Sequence, residues 1–226
     1  MKKVLLFLSI VSVALMSFTT APKPTTYNLD ASKSTFKWIG KKVTGQHYGN
    51  VNFTTGQVIS DGNNIVGGTF TVDMGSISVK DLEPAKGGDK LLGHLKSDDF
   101  FGVANNPTAT LSIKKATSKG GSSYDVVADL TIKGTTAEVT FPATITKDAT
   151  SLTAQASFKV NRTKYGIKYG SGSFFDNLGD KAINDDFDVE INIAAMAAAP
   201  APATAVKKTV KKAATTTKKK AATSSK

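Results

Sequence analysis

From Tyr27 to Ile193 the chain alternates apolar and polar residues with a period of two. Leu152, Ala154, Ala156, Phe158 and Val160 fall on one side of an extended segment. So do Phe187, Val189, Ile191 and Ile193, and likewise Phe70, Val72 and Met74. Successive side chains of a strand point to opposite faces, so this spacing predicts half-buried strands. Further strands are predicted at TFKWIG, NVNFTTGQVIS, TATLSIKKA, YDVVADLTIKG and AEVTFPATITK, and turn chemistry separates them at DGNN, SKGGSS and KDATS. One stretch departs from the pattern. In GDKLLGHLKSDDFF the spacing of Leu91, Leu92 and Leu95 predicts a helix of one or two turns, followed by a loop. About eight mostly antiparallel strands in one body predict an all-β fold, a closed barrel or a sandwich. A barrel of about eight strands is either filled by its side chains or holds one small ligand. The small Ala154 and Ala156 point towards the second outcome.

The two ends of the chain have different compositions. Lys2 and Lys3 precede a 13-residue apolar run, Val4–Met16, and small residues follow. That order matches a secretory signal peptide, placed at residues 1–21, and the run is short for a membrane span. The body is assigned to residues 22–193. Residues 194–226 are rich in Ala, Pro, Thr and Lys and are expected to stay disordered. The formal charge of +11 is local: eight lysines between 207 and 226, with Lys2 and Lys3, account for ten of these charges. The remainder is close to neutral. Cysteine is absent, which excludes disulfides, thiolate metal ligands and a cysteine nucleophile. A soluble exported protein, periplasmic or secreted, is the expectation.

Four segments, in order and spacing, resemble the YceI-like family of exported proteins: YNLDASKSTFKW, HLKSDDFFGVANNPTATLSI, VVADLTIKGTTAEVTFPATI and FKVNRTKYGIKYGSGSFFDNLGDKAINDDFDVEINI. The opening departs slightly, with Lys33–Ser34 where many members carry His before Ser. The resemblance implies a lipocalin-like, extended antiparallel β-barrel. It also implies that the apolar interior binds a long isoprenoid, a polyprenol, polyprenyl phosphate or polyprenyl quinone. The basic tail lies outside the family pattern.

Binding an apolar chain requires concave apolar surface rather than a reacting group. Candidate lining residues are Phe36, Trp38, Phe53, Phe70, Leu111, Ile113, Leu130, Ile132, Phe141 and Phe158, which otherwise fill a dry core. The pairs Phe100–Phe101 and Phe174–Phe175 lie beside Gly and Asp, as in loops at a barrel mouth. Phe101 and Phe174 are therefore further candidates, at an apolar entrance or in loop packing. Asp98–Asp99, Asp185–Asp186 and the pair Asp176 and Asp180 are read as turn residues rather than a catalytic pair. His47 and His94 match no metal-ligand spacing, so neither a metal nor a cofactor is expected. Lys207, Lys208, Lys211, Lys212, Lys218, Lys219 and Lys220 can attract an envelope polyanion, or simply solubilise the chain. With no aromatic residues among them, specific nucleic-acid recognition is not expected. A homodimer through an edge strand or an exposed mouth stays open. So do two other readings: an envelope-interaction protein acting through the tail, and an enzyme on an isoprenoid-like substrate.

Of 29 basic residues, 28 are lysine; the single arginine is Arg162. It continues the series Phe158, Val160 towards the apolar side. A guanidinium there can pin the DNLGDKAINDDFD loop through Asp185 or Asp186, or meet a ligand head group with Tyr165 or Tyr169.

Overall fold

A computed structural model describes residues 23–199. The export signal expected at 1–21 and the lysines from Lys207 onward lie outside the described residues. Within them the strands are β1 (Thr25–Leu29), β2 (Thr35–Lys42), β3 (Gly45–Asn50), β4 (Asn52–Asp61), β5 (Asn64–Asp73), β6 (Thr108–Gly120), β7 (Ser123–Ile132), β8 (Thr135–Lys147), β9 (Ser151–Asn161) and β10 (Asp186–Ala197), with one α-helix, α1 (Gly88–Lys96). All pair antiparallel in one sheet. The order is β1-β4-β5-β6-β7-β8-β9-β10-β2-β3, and β1 also pairs with β10. That extra pairing closes β1 and β4 to β10 into an eight-strand ring, and β2, paired to the same edge of β10 as β1, continues the wall with β3 on its outer side.

β10 makes the closure possible. One edge pairs with β9 from Asp186↔Asn161 to Met196↔Ser151. The other edge serves two strands in succession, β2 along Asp188–Asn192 and β1 along Ala195–Ala197. The backbone N–H of Val51 donates to Phe36 O at 3.1 Å, so the β2 end of the ring is also tied to the β4 side. A closed ring leaves no strand edge to pair with another chain.

The structure corrects three expectations. β1 and β3 are additional strands: TTYNL buries only Tyr27 among its side chains, and GQHYGN buries none larger than Gly49, so neither carries an alternating signal. β10 runs to Ala197, so residues 194–197 belong to the barrel rather than to the tail. Alanines carry little strand signal, but here β1 and β9 pair with them from both sides. Ala154 and Ala156 do not mark the hollow part of the barrel; they pair with Ile145 and Ala143 on β8.

Local chemistry sets the connections. Lys133 and Gly134 both have positive φ, 49° and 72°, which is the geometry of a two-residue hairpin turn between β7 and β8. Gly49 admits the segment after β5: a Cβ there would meet the Ser78 carbonyl oxygen at 1.6 Å. Through that close approach, Ser78 and Lys80 donate to the carbonyls of Asn50 and Tyr48, both at 2.9 Å, and cover the outer edge of β3. Asp81 extends the seam, accepting from Tyr48 N and meeting His47 Nδ1, each at 2.9 Å. α1 carries Asp89 in its first turn and His94 and Lys96 in its last, the arrangement its dipole favours. Among the described residues, no helix is long and apolar enough to cross a membrane.

The β8–β9 turn is held by one carboxylate. Asp148 Oδ1 accepts from the backbone N–H groups of Thr150 and Ser151, both at 2.7 Å, and Oδ2 accepts from Ser151 Oγ at 3.0 Å. Tyr27 Oη donates to the Asp148 carbonyl at 2.6 Å, which ties this turn to β1. The Thr150 and Ser151 backbone bonds hold the Asp148 carboxyl down at about 2. A depressed carboxylate stabilises the fold above the ordinary value of about 4 and loses that contribution as pH falls through the folded value. Asp148→Asn should therefore lower Tm by a constant amount at neutral pH. In calorimetric scans the gap to the wild type should close between about pH 4 and pH 2.

Candidate functional site

The barrel is solid in one part and hollow in another. Val126, Ala128 and Leu152 face inward with at most 2% of their surface exposed, and with Val58, Ile65, Tyr124 and Ile145 they form a close-packed plug. Phe70, Leu111, Leu130 and Phe158 also face inward, yet they keep part of their surface free. An inward side chain that stays accessible borders empty space rather than a packed neighbour. The space is a cavity with a clear centre of about 90 Å³, bordered by twenty residues from β2, β4–β7, β9, β10 and adjoining loops. None of them is charged. Trp38 brings a polar atom to the wall, and its indole N–H already donates to Ser78 O at 3.2 Å.

Rings line one side in sequence. Phe36 meets Phe53 edge-on at 6.0 Å between centroids, and Phe53 meets Phe70 at 6.2 Å. Gly56 makes room for the last ring, since a Cβ there would lie 2.5 Å from Phe70 Cδ1. Phe158 is backed from outside the cavity by Phe141, stacked 12° from parallel at 4.2 Å.

Nine of the residues singled out from the sequence border this space: Phe36, Trp38, Phe53, Phe70, Phe101, Leu111, Leu130, Ile132 and Phe158. Ile113, Phe141 and Phe174 do not. Ile113 is one inward position further along β6 and packs towards Gly68; Phe141 sits behind Phe158; Phe174 is on the surface. Sequence reasoning missed Val51, Val72, Met74, Ile77, Ala109, Thr110, Val160 and the β10 series Phe187, Val189, Ile191 and Ile193 among the lining residues. The β10 side chains and Val160 already lay on alternating apolar faces, so the signal was present and the preference for aromatic residues hid it. Val51 and Ile77 lie in connecting segments, where no periodicity marks them.

Arg162, Tyr165 and Tyr169 do not border the cavity. Arg162 opens a 3₁₀ turn, Arg162–Tyr165, and only 3% of it is exposed. Its guanidinium is spent mainly on carbonyls: Nε donates to Asn184 O at 3.0 Å, Nη1 to Ile167 O at 2.9 Å and Nη2 to Ile183 O at 3.0 Å. Asp185 Oδ1 lies 3.6 Å from Nη2, so the carboxylate balances the charge without the parallel double bond expected from sequence. Asp186, the other carboxylate considered, is exposed at the start of β10. Burial lowers the Arg162 pKa, and Asp185 opposes that shift. Burial likewise works against a charged Asp185, but Ser171, Ser173 and Arg162 hold its carboxyl below the usual range. Lysine, with one nitrogen, cannot reach three divergent carbonyls, which accounts for the single arginine.

Tyr165 is buried and its hydroxyl has no partner; burial pushes its pKa up to about 12. Tyr169 is half-exposed and lies edge-on to His94 at 4.3 Å, and His94 in turn meets Phe100 at 5.0 Å. His47 is elsewhere, on β3 against Asp81, and among the described residues no three His, Asp or Glu side chains converge to hold a metal ion.

The family model for the YceI-like domain matches residues 27–195, from β1 to the last turn of pairing in β10. The chain belongs to the YceI-like family. The solved structures agree on the fold. Burkholderia cenocepacia BcnA superposes with a TM-score of 0.60 at 22% identity, covering 74% of this chain and 98% of that one. A polyisoprenoid binding domain from Saccharophagus degradans, implicated in plant cell wall breakdown, gives 0.55 at 16% identity, covering 76% and 98%. No curated protein matches in sequence. The matched YceI-like region ends before the lysine-rich segment, so that segment is an addition to the family domain.

Two substitutions check the reading of the arginine turn. Arg162→Lys should cost about 2–4 kcal/mol in urea unfolding, because the buried Ile167 carbonyl and the part-buried carbonyls of Ile183 and Asn184 lose donors. Tyr165→Phe should stay within about 1 kcal/mol of wild type, since it removes a hydroxyl that bonds to nothing.

Proposed function

We propose that this protein is an exported binding protein that holds a long isoprenoid or similar lipid inside its barrel, as carrier, store or sensor. The observation that carries this reading is the cavity itself: twenty lining residues without a charge, kept partly open beside a close-packed plug. Such a wall offers nothing to a polar solute. For an apolar chain each buried CH₂ is worth about 0.8 kcal/mol, so a tail of many carbons binds tightly without a single hydrogen bond. The polyisoprenoid binding domain from Saccharophagus degradans, of the same fold, agrees with this choice of ligand class. Export rests on the leader composition, Lys2 and Lys3 followed by Val4–Met16.

The clear centre, about 90 Å³, is narrow for a long chain. Loading therefore requires partly free rings such as Phe70, Phe101 and Phe158 to turn aside, which favours a flexible linear ligand over a rigid fused-ring one. Catalysis is not needed for this role, and the carboxylates of Asp98, Asp99 and Asp176 lie outside the cavity wall.

Purified full-length protein, extracted with organic solvent and analysed by mass spectrometry, should release a polyprenyl compound. Recovery of no apolar molecule, together with no uptake of long-chain isoprenoids in solution, would contradict the reading. Val72→Trp, which fills the cavity from β5, should fold at a cost of about 1–3 kcal/mol and lose most of the extracted ligand.

A further inference from the structure

The segment between the arginine turn and β10 presents aromatic side chains to solvent on a braced support. Phe174 and Phe175 are 48% and 51% exposed, and Tyr169 is 47% exposed. Among the described residues these are the exposed phenylalanines; the others are buried or partly buried. A slack loop would fold such rings back onto the barrel. This one is fixed at its base by the three Arg162 bonds. Ser171 is fully buried within it and its carbonyl accepts from both Phe174 N and Phe175 N, at 3.1 and 3.0 Å. Gly170 takes φ 61°, and a side chain there would press on Ile183 at 3.2 Å. Asn177 holds φ 58°, a left-handed turn conformation that asparagine tolerates. Arg162 and the Ser171 turn thus brace the segment that carries the two rings.

Within this segment, Tyr169 is connected to the cavity by ring contacts. Tyr169 touches His94, His94 touches Phe100, Phe100 meets Phe101 at 6.2 Å, and Phe101 meets Phe187 at 6.5 Å. Phe101 and Phe187 both border the hollow. The polar rim is mixed. Lys168 Nζ lies 4.6 Å above the Phe174 ring, and the segment that carries the rings holds Lys164, Lys168 and Lys181 against Asp176 and Asp180. A nearly balanced rim around exposed rings suits insertion among lipid head groups better than attraction to a polyanion. Aromatic side chains favour that boundary, with the ring in the apolar layer and polar groups in water.

We propose that Tyr169, Phe174 and Phe175 dock the barrel on a lipid bilayer surface, beside the route by which apolar cargo passes between membrane and cavity. The inference rests on the lipid-binding reading, because such a cargo resides in a bilayer when it is not in the protein.

The test is flotation of the full chain with phosphatidylcholine vesicles at low and high salt. The expected result is binding that survives high salt. Phe174→Ser/Phe175→Ser should weaken it by about tenfold or more, since two partly exposed rings lose their burial in lipid. Both rings are on the surface, so the double variant should keep the wild-type circular dichroism and Tm. The proposal is overturned if the wild type does not float with phosphatidylcholine, or if the variant binds equally well. It is also overturned if binding needs phosphatidylglycerol and vanishes at high salt, which would assign it to the lysines. Loss of a dimer in sedimentation without a change in flotation would assign the patch to a second copy and equally overturn it. Cargo content, read separately by extraction, tells failure of docking apart from failure of the lipid-binding reading.

Discussion

The ring of backbone hydrogen bonds is the constraint on which the rest of this structure depends. β10 pairs with β9 along one edge and divides the other between β2 and β1, so eight strands close without a free edge. Closure fixes the circumference before side chains have any say, because neighbouring strands must lie a hydrogen bond apart. The interior is then a volume to be filled, and this sequence fills only part of it. Val126, Ala128 and Leu152 close-pack; around Phe70, Leu111 and Phe158 the same width is left open. A sandwich could collapse onto such a gap by drawing its sheets together. A closed barrel cannot, so a hollow survives folding and is available to a ligand.

Arg162 solves a different problem. The long connection into β10 buries Tyr165 and Ile167 and bonds to β2 through Asn184 N and Lys41 O, but some of its carbonyls have no backbone partner. One planar cation satisfies three of them, from Ile167, Ile183 and Asn184, while Asp185 supplies the opposing charge. Burial of the charge is costly, and the arrangement is stable because each donor has a fixed acceptor. The chain's one guanidinium therefore belongs to loop architecture.

Much of this was legible in the sequence because a one-sided strand advertises itself. The alternation in β9 and β10 located the inward face correctly, and the leucines of α1 marked the one α-helix among the described residues. What stayed hidden lacked side-chain contrast. β3 is a strand because β2 and Ser78–Lys80 pair with it, not because GQHYGN is apolar. The final residues of β10 are alanines whose role is to be paired from both sides. At the site, the sequence identified apolar inward positions but could not rank them, since hollow and plug are built from the same residue types. Phe141 and Phe158 illustrate this: both are inward phenylalanines, stacked on each other, and only Phe158 borders the open space. Which of two such rings faces a void depends on how the opposite wall is packed, and that is a property of the closed ring.

Trp38 is the chain's single tryptophan and part of the cavity wall, so its emission reports on the hollow alone. Titration of the full chain with a long polyprenol, compared with geraniol as the short analogue, is the most direct test of whether the hollow takes up an apolar chain. A saturable change in Trp38 emission that strengthens with chain length is expected. Emission that does not respond to the polyprenol, or responds equally to both alcohols, would contradict it.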